Sequence, residues 1–288
     1  MNLTDEKIKD LSLRAERIRE SIIEMLVEAG SGHTAGPLGM ADVFTTLYFH
    51  SLRHDPKNPE WKERDRVVLS NGHICPILYA TMAHSGYFPI EELKTLRKFG
   101  SRLQGHPHRE YLPFLDTSSG PLGEGLGQAV GMALADRIDF GDKSDRFIYC
   151  FLGDGELNEG SNWEAIMLAG KERLRNLIVI VDRNNIQIDG YTEDIMPLDN
   201  LINKWQSFNW HVEEIDGHNF ENISNAIDIA KAVYERPSVI IARTIPGRGV
   251  KEFERDYRWH GKPPTKEEGR IALQELRTLG GKIKGEHQ

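Results

Sequence analysis

Cysteine is scarce: Cys75 and Cys150 are the two in a chain of 288 residues, and they form no paired motif. Both sit in or beside apolar runs, which reads as two reduced core thiols in a cytoplasmic protein. Long apolar runs are missing as well. No uncharged stretch approaches the ~20 residues that a membrane-spanning helix needs, so no membrane partner is expected. Excess positive charge is absent: 36 lysines and arginines against 44 acids leave a net charge of -8, which gives no electrostatic reason to expect nucleic acid. The opening MNLTDEKIKD is acidic and polar, unlike a secretory leader. No internal repeat or low-complexity tract is found. What is present is ordinary for a soluble globular chain, 39% hydrophobic and 28% charged. The length suits one large α/β domain or two small ones.

Apolar periodicity predicts a helix over residues 5–29, where Ile8, Leu11, Ala15, Ile18, Ile22, Met25 and Ala29 recur three or four apart. Asp5 and Glu6 lie in its first turn and Gly30-Ser31-Gly32 stops it. Further helices are expected over 41–49, 129–138, 199–208, 220–234 and about 266–279. Strands are expected over 66–69, 147–152, 177–181, 211–215 and 238–244, with TEDIMPLDN after Gly190 as loop. Strands alternating with helices predict an α/β fold: one doubly wound, mainly parallel sheet with helices on both faces. One domain over 1–288 is expected, with a short polar tail after about residue 261.

The stretch from Phe147 to Gly190 organises the rest. An apolar run ends in Gly153-Asp154-Gly155, a helix-like segment follows, and a second apolar run ends in Asp182-Arg183-Asn184-Asn185. In a parallel sheet both runs end on the same edge, where open α/β sheets bind ligands. Asn184 lies 30 residues after Asp154, about the length of one βαβ unit. A carboxylate and an amide oxygen brought to one edge suit Mg²⁺, which takes octahedral oxygen ligands and often phosphates. A backbone carbonyl near Ile186 is a candidate third ligand. The helix after Gly155 is expected to point its N-terminus at the anion. Taken singly, Asp154 as a helix cap and Asn184 as a turn residue explain themselves without any ligand.

Four histidines stand beside glycines in separate loops: His33 in GSGHTAGPLG, His73 in SNGH, His106 in LQGHP and His260 in WHG. One such histidine is ordinarily structural. Four suggest a shared polar pocket. Residues 118–131, SSGPLGEGLGQAVG, hold five glycines and allow close backbone approach. They are neither the dinucleotide fingerprint, since no strand immediately precedes them, nor a Walker loop, since no Gly-Lys-Ser or Gly-Lys-Thr follows.

GDG followed after about 30 residues by Asn-Asn resembles the thiamine-diphosphate motif. SGHTAGPLG, RDRVVLSNGH, LQGHP, SSGPLGEGLG, GDGELNEGSNWEA, VDRNNIQIDG, IDGHN, ARTIPGRGV and WHGKPP resemble transketolase, in transketolase order, from Leu13 to Pro264. The resemblance implies the diphosphate-binding type of thiamine-diphosphate fold. It also implies Mg²⁺ (with Ca²⁺ or Mn²⁺ as substitutes) on Asp154, Asn184 and the Ile186 carbonyl. Gly153 and Gly155 would leave room at the diphosphate, which His73 and His260 would approach. Gly120 and Leu122 would contact the cofactor rings, with Ile188 beneath them. His33 and His106 would face the sugar, and His260 could move a proton there. Glu159 would belong to the carboxylate network between paired active sites. The implied reaction moves a two-carbon ketol unit from a ketose phosphate to an aldose phosphate, with steps that suit histidines titrating near neutral pH.

One departure matters. Transketolases are usually about twice this length, and no segment here matches the glutamate that activates the aminopyrimidine. Glu124, Glu156 and Glu164 do not stand at its position. The resemblance therefore implies one half of a split enzyme of the pentose phosphate type. Its partner would be a C-terminal subunit carrying the pyrimidine-binding domain and that glutamate, in an α2β2 heterotetramer. Four alternatives stay open: another sugar or sulfosugar substrate, a deoxyxylulose-phosphate synthase-like activity, a plain Mg²⁺-dependent phosphohydrolase, and a non-catalytic cofactor-holding subunit.

Overall fold

The computed structural model describes residues 3–141 and 144–286. Five strands form one parallel sheet: β1 (Arg66–Leu69), β2 (Ile148–Gly153), β3 (Leu177–Arg183), β6 (His211–Asp216) and β7 (Ser238–Arg243), in the order β1-β2-β3-β7-β6. Every neighbouring pair is parallel. A two-stranded antiparallel ribbon, β4 (Ile186–Gln187) and β5 (Gly190–Tyr191), stands just past β3.

The central strands β2, β3 and β7 are buried on both faces, so their side chains alternate between two cores. Tyr149, Phe151, Ile178, Ile180, Ile240 and Ala242 point into one core. Ile148, Cys150, Leu152, Leu177, Val179, Val181, Val239 and Ile241 point into the other. The first core is closed by α1 (Asp5–Ala29), α2 (Ala35–Gly39), α3 (Ala41–Thr46), α4 (Cys75–Ser85) and α9 (Phe220–Ala232). The second is closed by α5 (Gly125–Phe140), α6 (Gly160–Glu172) and α8 (Leu201–Ser207). The expected doubly wound α/β fold with helices on both faces is what forms. Both cysteines are free and buried. No helix among the described residues is long and apolar enough to cross a membrane.

Helix α1 starts where Thr4 accepts from the Lys7 N–H and ends at Gly30 in a left-handed conformation, as the glycine predicts. After Gly261 the chain forms α10 (Lys266–Glu286), which packs back on α1. Ala272 and Leu276 are buried there, and Arg277 meets Glu20 at 3.1 Å.

Three expectations need correction. The helix predicted to begin near Ala129 begins at Gly125, because the Gly125 N–H donates to Ser70 Oγ at 3.0 Å and anchors an earlier first turn. The segment after Gly190 is not all loop: Thr192–Ile195 form one helical turn, α7, where Arg183 holds Glu193 and the Glu193 carboxylate accepts the Leu198 N–H. No long helix points directly at Gly155. Gly155–Asn158 form a single 3₁₀ turn and α6 starts at Gly160, because the Glu156 carboxylate folds back to accept the Gly153 N–H at 3.1 Å.

Candidate functional site

The C-terminal ends of β1, β2 and β3 open on a cavity of about 550 Å³. Asp154 and Gly155 reach it from the end of β2, Asn184 and Ile186 from the end of β3, and Asn71 and His73 from the end of β1. His33 comes from the loop after α1 and His260 from the turn before α10. His106, Gly120, Leu122, Gly153, Glu159 and Ile188 complete the set expected from sequence, and all of them line this one cavity.

Asp154 is buried and its carboxylate is held in place by the chain. It accepts from the N–H groups of Gly155 and Asn185 at 2.7 Å each, from Arg183 Nη1 at 3.1 Å and from Thr192 Oγ1 at 3.4 Å. Asn185 turns back through a left-handed backbone, φ 62°, which asparagine tolerates, and so aims its N–H at that carboxylate. Burial raises the Asp154 pKa, and the Arg183 charge opposes it. The Asn184 amide is fixed at both ends: Nδ2 donates to Asp182 at 2.7 Å and Oδ1 accepts the Ile186 N–H at 3.0 Å. An amide oxygen has two lone pairs, so one acceptor position of Asn184 stays open. Among the described residues no cluster of three or more His, Cys, Asp and Glu side chains is arranged to hold a metal. An ion here would take a mixed set of carboxylate, amide and backbone oxygens, all hard ligands of the kind Mg²⁺ prefers.

Three of the four histidines meet. Ring centroids of His33 and His73 are 4.9 Å apart, of His73 and His260 5.1 Å, and of His33 and His260 5.5 Å. Burial is the main cause that pushes His33 and His260 down to about 4, and it drives His73 well below the usual imidazole range. For His33 the neighbouring His260, Arg97 and His106 add to the effect. These rings are therefore neutral at physiological pH and offer nitrogens that accept as well as donate. His106 stands apart at the rim, solvent-exposed, against the glycine loop: a Cβ on Gly120 would lie 3.6 Å from its ring. Its pKa is lowered less, by partial burial and by Arg97.

The cavity wall holds polar atoms that nothing in the chain satisfies. Both amide atoms of Asn71, Nδ1 of His33 and Nδ1 of His260 are buried without a hydrogen-bond partner. Buried polar groups are normally paired, so unpaired ones in the wall of a cavity point to a bound polar group. The opposite lip is apolar and open, with Ile188 64% and Leu122 41% exposed. A Cβ at Gly155 would stand 2.7 Å from Gln187 Oε1, so a side chain there would push the Gln187 amide aside.

Sequence reasoning missed several members of this wall. Asp182 is buried at the end of β3 with its pKa pushed up to about 7, by burial first and then by the Asp154 charge. Glu156 is buried and gathers the Ser70 hydroxyl at 2.5 Å and the N–H groups of Gly123 and Gly153 at 2.9 and 3.1 Å, which ties the glycine loop to the end of β2. Asn71 and Gln187 also line the cavity. For Asp182 the signal was present: it is an acid closing an apolar strand, the same pattern that marks Asp154.

The thiamine-diphosphate-binding domain of transketolase is the family that matches, over residues 12–280. The 6-deoxy-6-sulfo-D-fructose transketolase subunit of a Clostridium species is 44% identical over 94% of this chain and 98% of its own length. An apulose-4-phosphate transketolase subunit of Phocaeicola vulgatus is 37% identical over 94% of this chain and 95% of its own. The solved transketolase of Leishmania mexicana superposes with a TM-score of 0.85 at 31% identity, covering 96% of this chain and 45% of that one. The chain thus spans nearly all of two relatives named as subunits and less than half of that solved transketolase.

Proposed function

The chain belongs to the transketolase family, as its thiamine-diphosphate-binding domain, and from that premise we propose that it is the diphosphate-holding subunit of a two-chain, Mg²⁺-dependent transketolase. The observation that carries the reading is the meeting of His33, His73 and His260 in one cavity with Asp154 and Asn184. The residues fit the cofactor: hard oxygens at one end, unpaired buried Asn71 and histidine nitrogens between, and an apolar lip at Leu122 and Ile188 for rings.

Asp154, Asn184 and the Ile186 carbonyl would hold Mg²⁺, with Gly153 and Gly155 giving the diphosphate room and His73 and His260 approaching it. Thiamine diphosphate supplies the electron sink for breaking and remaking the carbon–carbon bond beside a ketose carbonyl. The chain supplies orientation and proton handling. Neutral His33 and His260 rings can accept a proton from a sugar hydroxyl and return it. In this reading His106 at the rim meets a donor hydroxyl, and Glu159 belongs to a carboxylate network between paired active sites.

The working unit in this reading is one cofactor-binding domain joined to a second polypeptide, as an α2β2 assembly in the cytoplasm. The partner brings the pyrimidine half of the site and its activating glutamate. A ketose phosphate donates a two-carbon ketol unit to an aldose phosphate. A second reading, in which the sugar carries a sulfonate, is favoured by the relative named for sulfofructose, which is 44% identical.

Two measurements test the proposal. Asp154→Ala should abolish Mg²⁺-dependent retention of thiamine diphosphate, followed by calorimetry on the assembly purified through this chain; unchanged retention removes the assignment. Native mass spectrometry should find a second chain of similar size, and full ketol transfer by this polypeptide alone would overturn the two-chain reading.

A further inference from the structure

Two sequence motifs, IDGHN and ARTIPGRGV, contribute nothing to the cavity wall described so far. The structure assigns them a task. His218 of the first motif follows the end of β6, and Thr244 and Ile245 of the second follow the end of β7. These strands lie side by side with β3, in the order β3-β7-β6, so the three ends meet on the same edge as the cavity.

We infer that Thr244 and Asp182 are positioning residues for the Asn184 amide, and that His218 and Asp42 hold Thr244 in place; the inference rests on the reading of Asn184 as a Mg²⁺ ligand. The Thr244 hydroxyl donates to Asp182 Oδ1. The other Asp182 oxygen accepts from Asn184 Nδ2 at 2.7 Å. With one Asp182 oxygen taken by Thr244, the other faces the amide as an acceptor and binds its NH₂ end; the flipped orientation would set the Asn184 oxygen against it. The oxygen end of Asn184 is thereby directed away from Asp182, towards the Ile186 N–H at 3.0 Å and the ligand position beside it.

Thr244 is itself fixed from behind. The Ile245 N–H donates to His218 Nε2 at 2.7 Å. A backbone N–H can only donate, so the ring proton sits on Nδ1 and is given to Asp42 Oδ2, 2.7 Å away. Asp42 is clamped in turn by Arg19 at 2.6 Å, and Arg19 by Glu16 at 2.9 Å, all buried. Gly217 completes the arrangement: a Cβ there would stand 2.7 Å from the Thr244 methyl. A side chain at 217 would push the hydroxyl off Asp182. The result is an unbroken chain of contacts from α1 through α3 and the ends of β6, β7 and β3 to the Asn184 amide. Such partners orient a ligand before the ion arrives, and losing one typically weakens metal binding by about 10- to 100-fold.

The test uses the assembly purified through this chain, with whatever second chain accompanies it. The reading is the Mg²⁺ concentration that half-saturates thiamine-diphosphate binding, taken beside the thermal midpoint. Thr244→Val keeps the shape and removes the hydroxyl. It should raise the Mg²⁺ requirement about 10- to 100-fold, with cofactor binding recovered at high Mg²⁺. Thr244→Ser restores the donor and should return the requirement to within about threefold of the native value. Asp182→Leu is the second variant: it removes both acceptors at similar size, and it should behave as Thr244→Val does. A native Mg²⁺ requirement in Thr244→Val, or equal impairment of Thr244→Ser, overturns the inference. So does a fall in thermal midpoint with no change in Mg²⁺ dependence. Asp154→Ala separates the two levels. If it abolishes cofactor binding while Thr244→Val leaves the Mg²⁺ requirement native, the brace alone fails. If Asp154→Ala also binds normally, or the native assembly binds no cofactor, the ligand assignment fails and the brace with it.

Discussion

The two sides of the cavity are built on opposite terms. At the ends of β2 and β3, Asp154, Asp182 and Asn184 have their polar atoms committed to other parts of the chain. Elsewhere in the wall, Nδ1 of His33, Nδ1 of His260 and both amide atoms of Asn71 are buried with no partner. The first side is pre-set, which suits the ion proposed for it, because ligand groups already in place need no ordering on binding. The second is left open, as a site for groups that come and go should be. Open polar atoms in a buried wall destabilise the fold until something occupies them. The molecule therefore concentrates rigidity at the strand ends and keeps its unmet hydrogen-bonding capacity in the histidine loops.

The sharpest way to break this contrast is at Arg183. Its guanidinium is buried and meets Asp154, Glu193 and Asp199. Arg183→Met leaves the Asp154 carboxylate buried without its cation, which should cost about 3–5 kcal/mol, read as a lower urea midpoint at unchanged slope. A loss under about 1 kcal/mol would mean that the strand-end side is not the rigid one.

Proton binding probes the other side. His33 and His260 sit at about 4 in the folded chain, chiefly through burial, against about 6.5 for a free imidazole. Between those values the unfolded chain binds more protons than the folded one. Stability therefore rises with pH across that window, is fully present above about 6.5, and is lost as pH falls towards 4. Each ring contributes a slope of at most about 1.4 kcal/mol per pH unit. His260→Gln should flatten the profile between pH 4 and 6.5 and leave it unchanged above 7. An unaltered profile would show that this ring does not titrate as an isolated, buried base.

How much of this was readable beforehand follows from the range of the contacts. The sheet, its parallel sense and the Asp154–Asn184 corner come from local patterns: apolar runs of strand length, and an acid or amide at their ends. The meeting of His33, His73 and His260 follows from glycine loops that the sheet brings to one edge. What stayed hidden was set by partners distant in sequence. Nothing local to Glu156 points to Ser70, 86 positions away, whose hydroxyl its carboxylate accepts. Nothing local to His218 points to Asp42, 176 positions away, which closes on its ring. The 3₁₀ turn at Gly155–Asn158 replaced the expected helix for the same reason, because the Glu156 side chain has tertiary work that a regular first turn would not allow.

The smallest effect is expected at Asn71, and it tests the contrast most directly. Asn71 is buried in the cavity wall, and neither end of its amide has a partner. An unsatisfied buried polar group costs the folded state about 1–3 kcal/mol, so truncation removes a cost together with some packing. Asn71→Ala should therefore unfold within about 1 kcal/mol of the native chain, while Asn184→Ala, which breaks two hydrogen bonds, should lose about 1–3 kcal/mol. Cofactor retention should weaken in both. The two variants then separate stability from binding: Asn184 serves both, and Asn71 serves binding alone. A loss above about 2 kcal/mol in Asn71→Ala would mean that its amide is satisfied within the fold, and the open side of the cavity would be smaller by that residue.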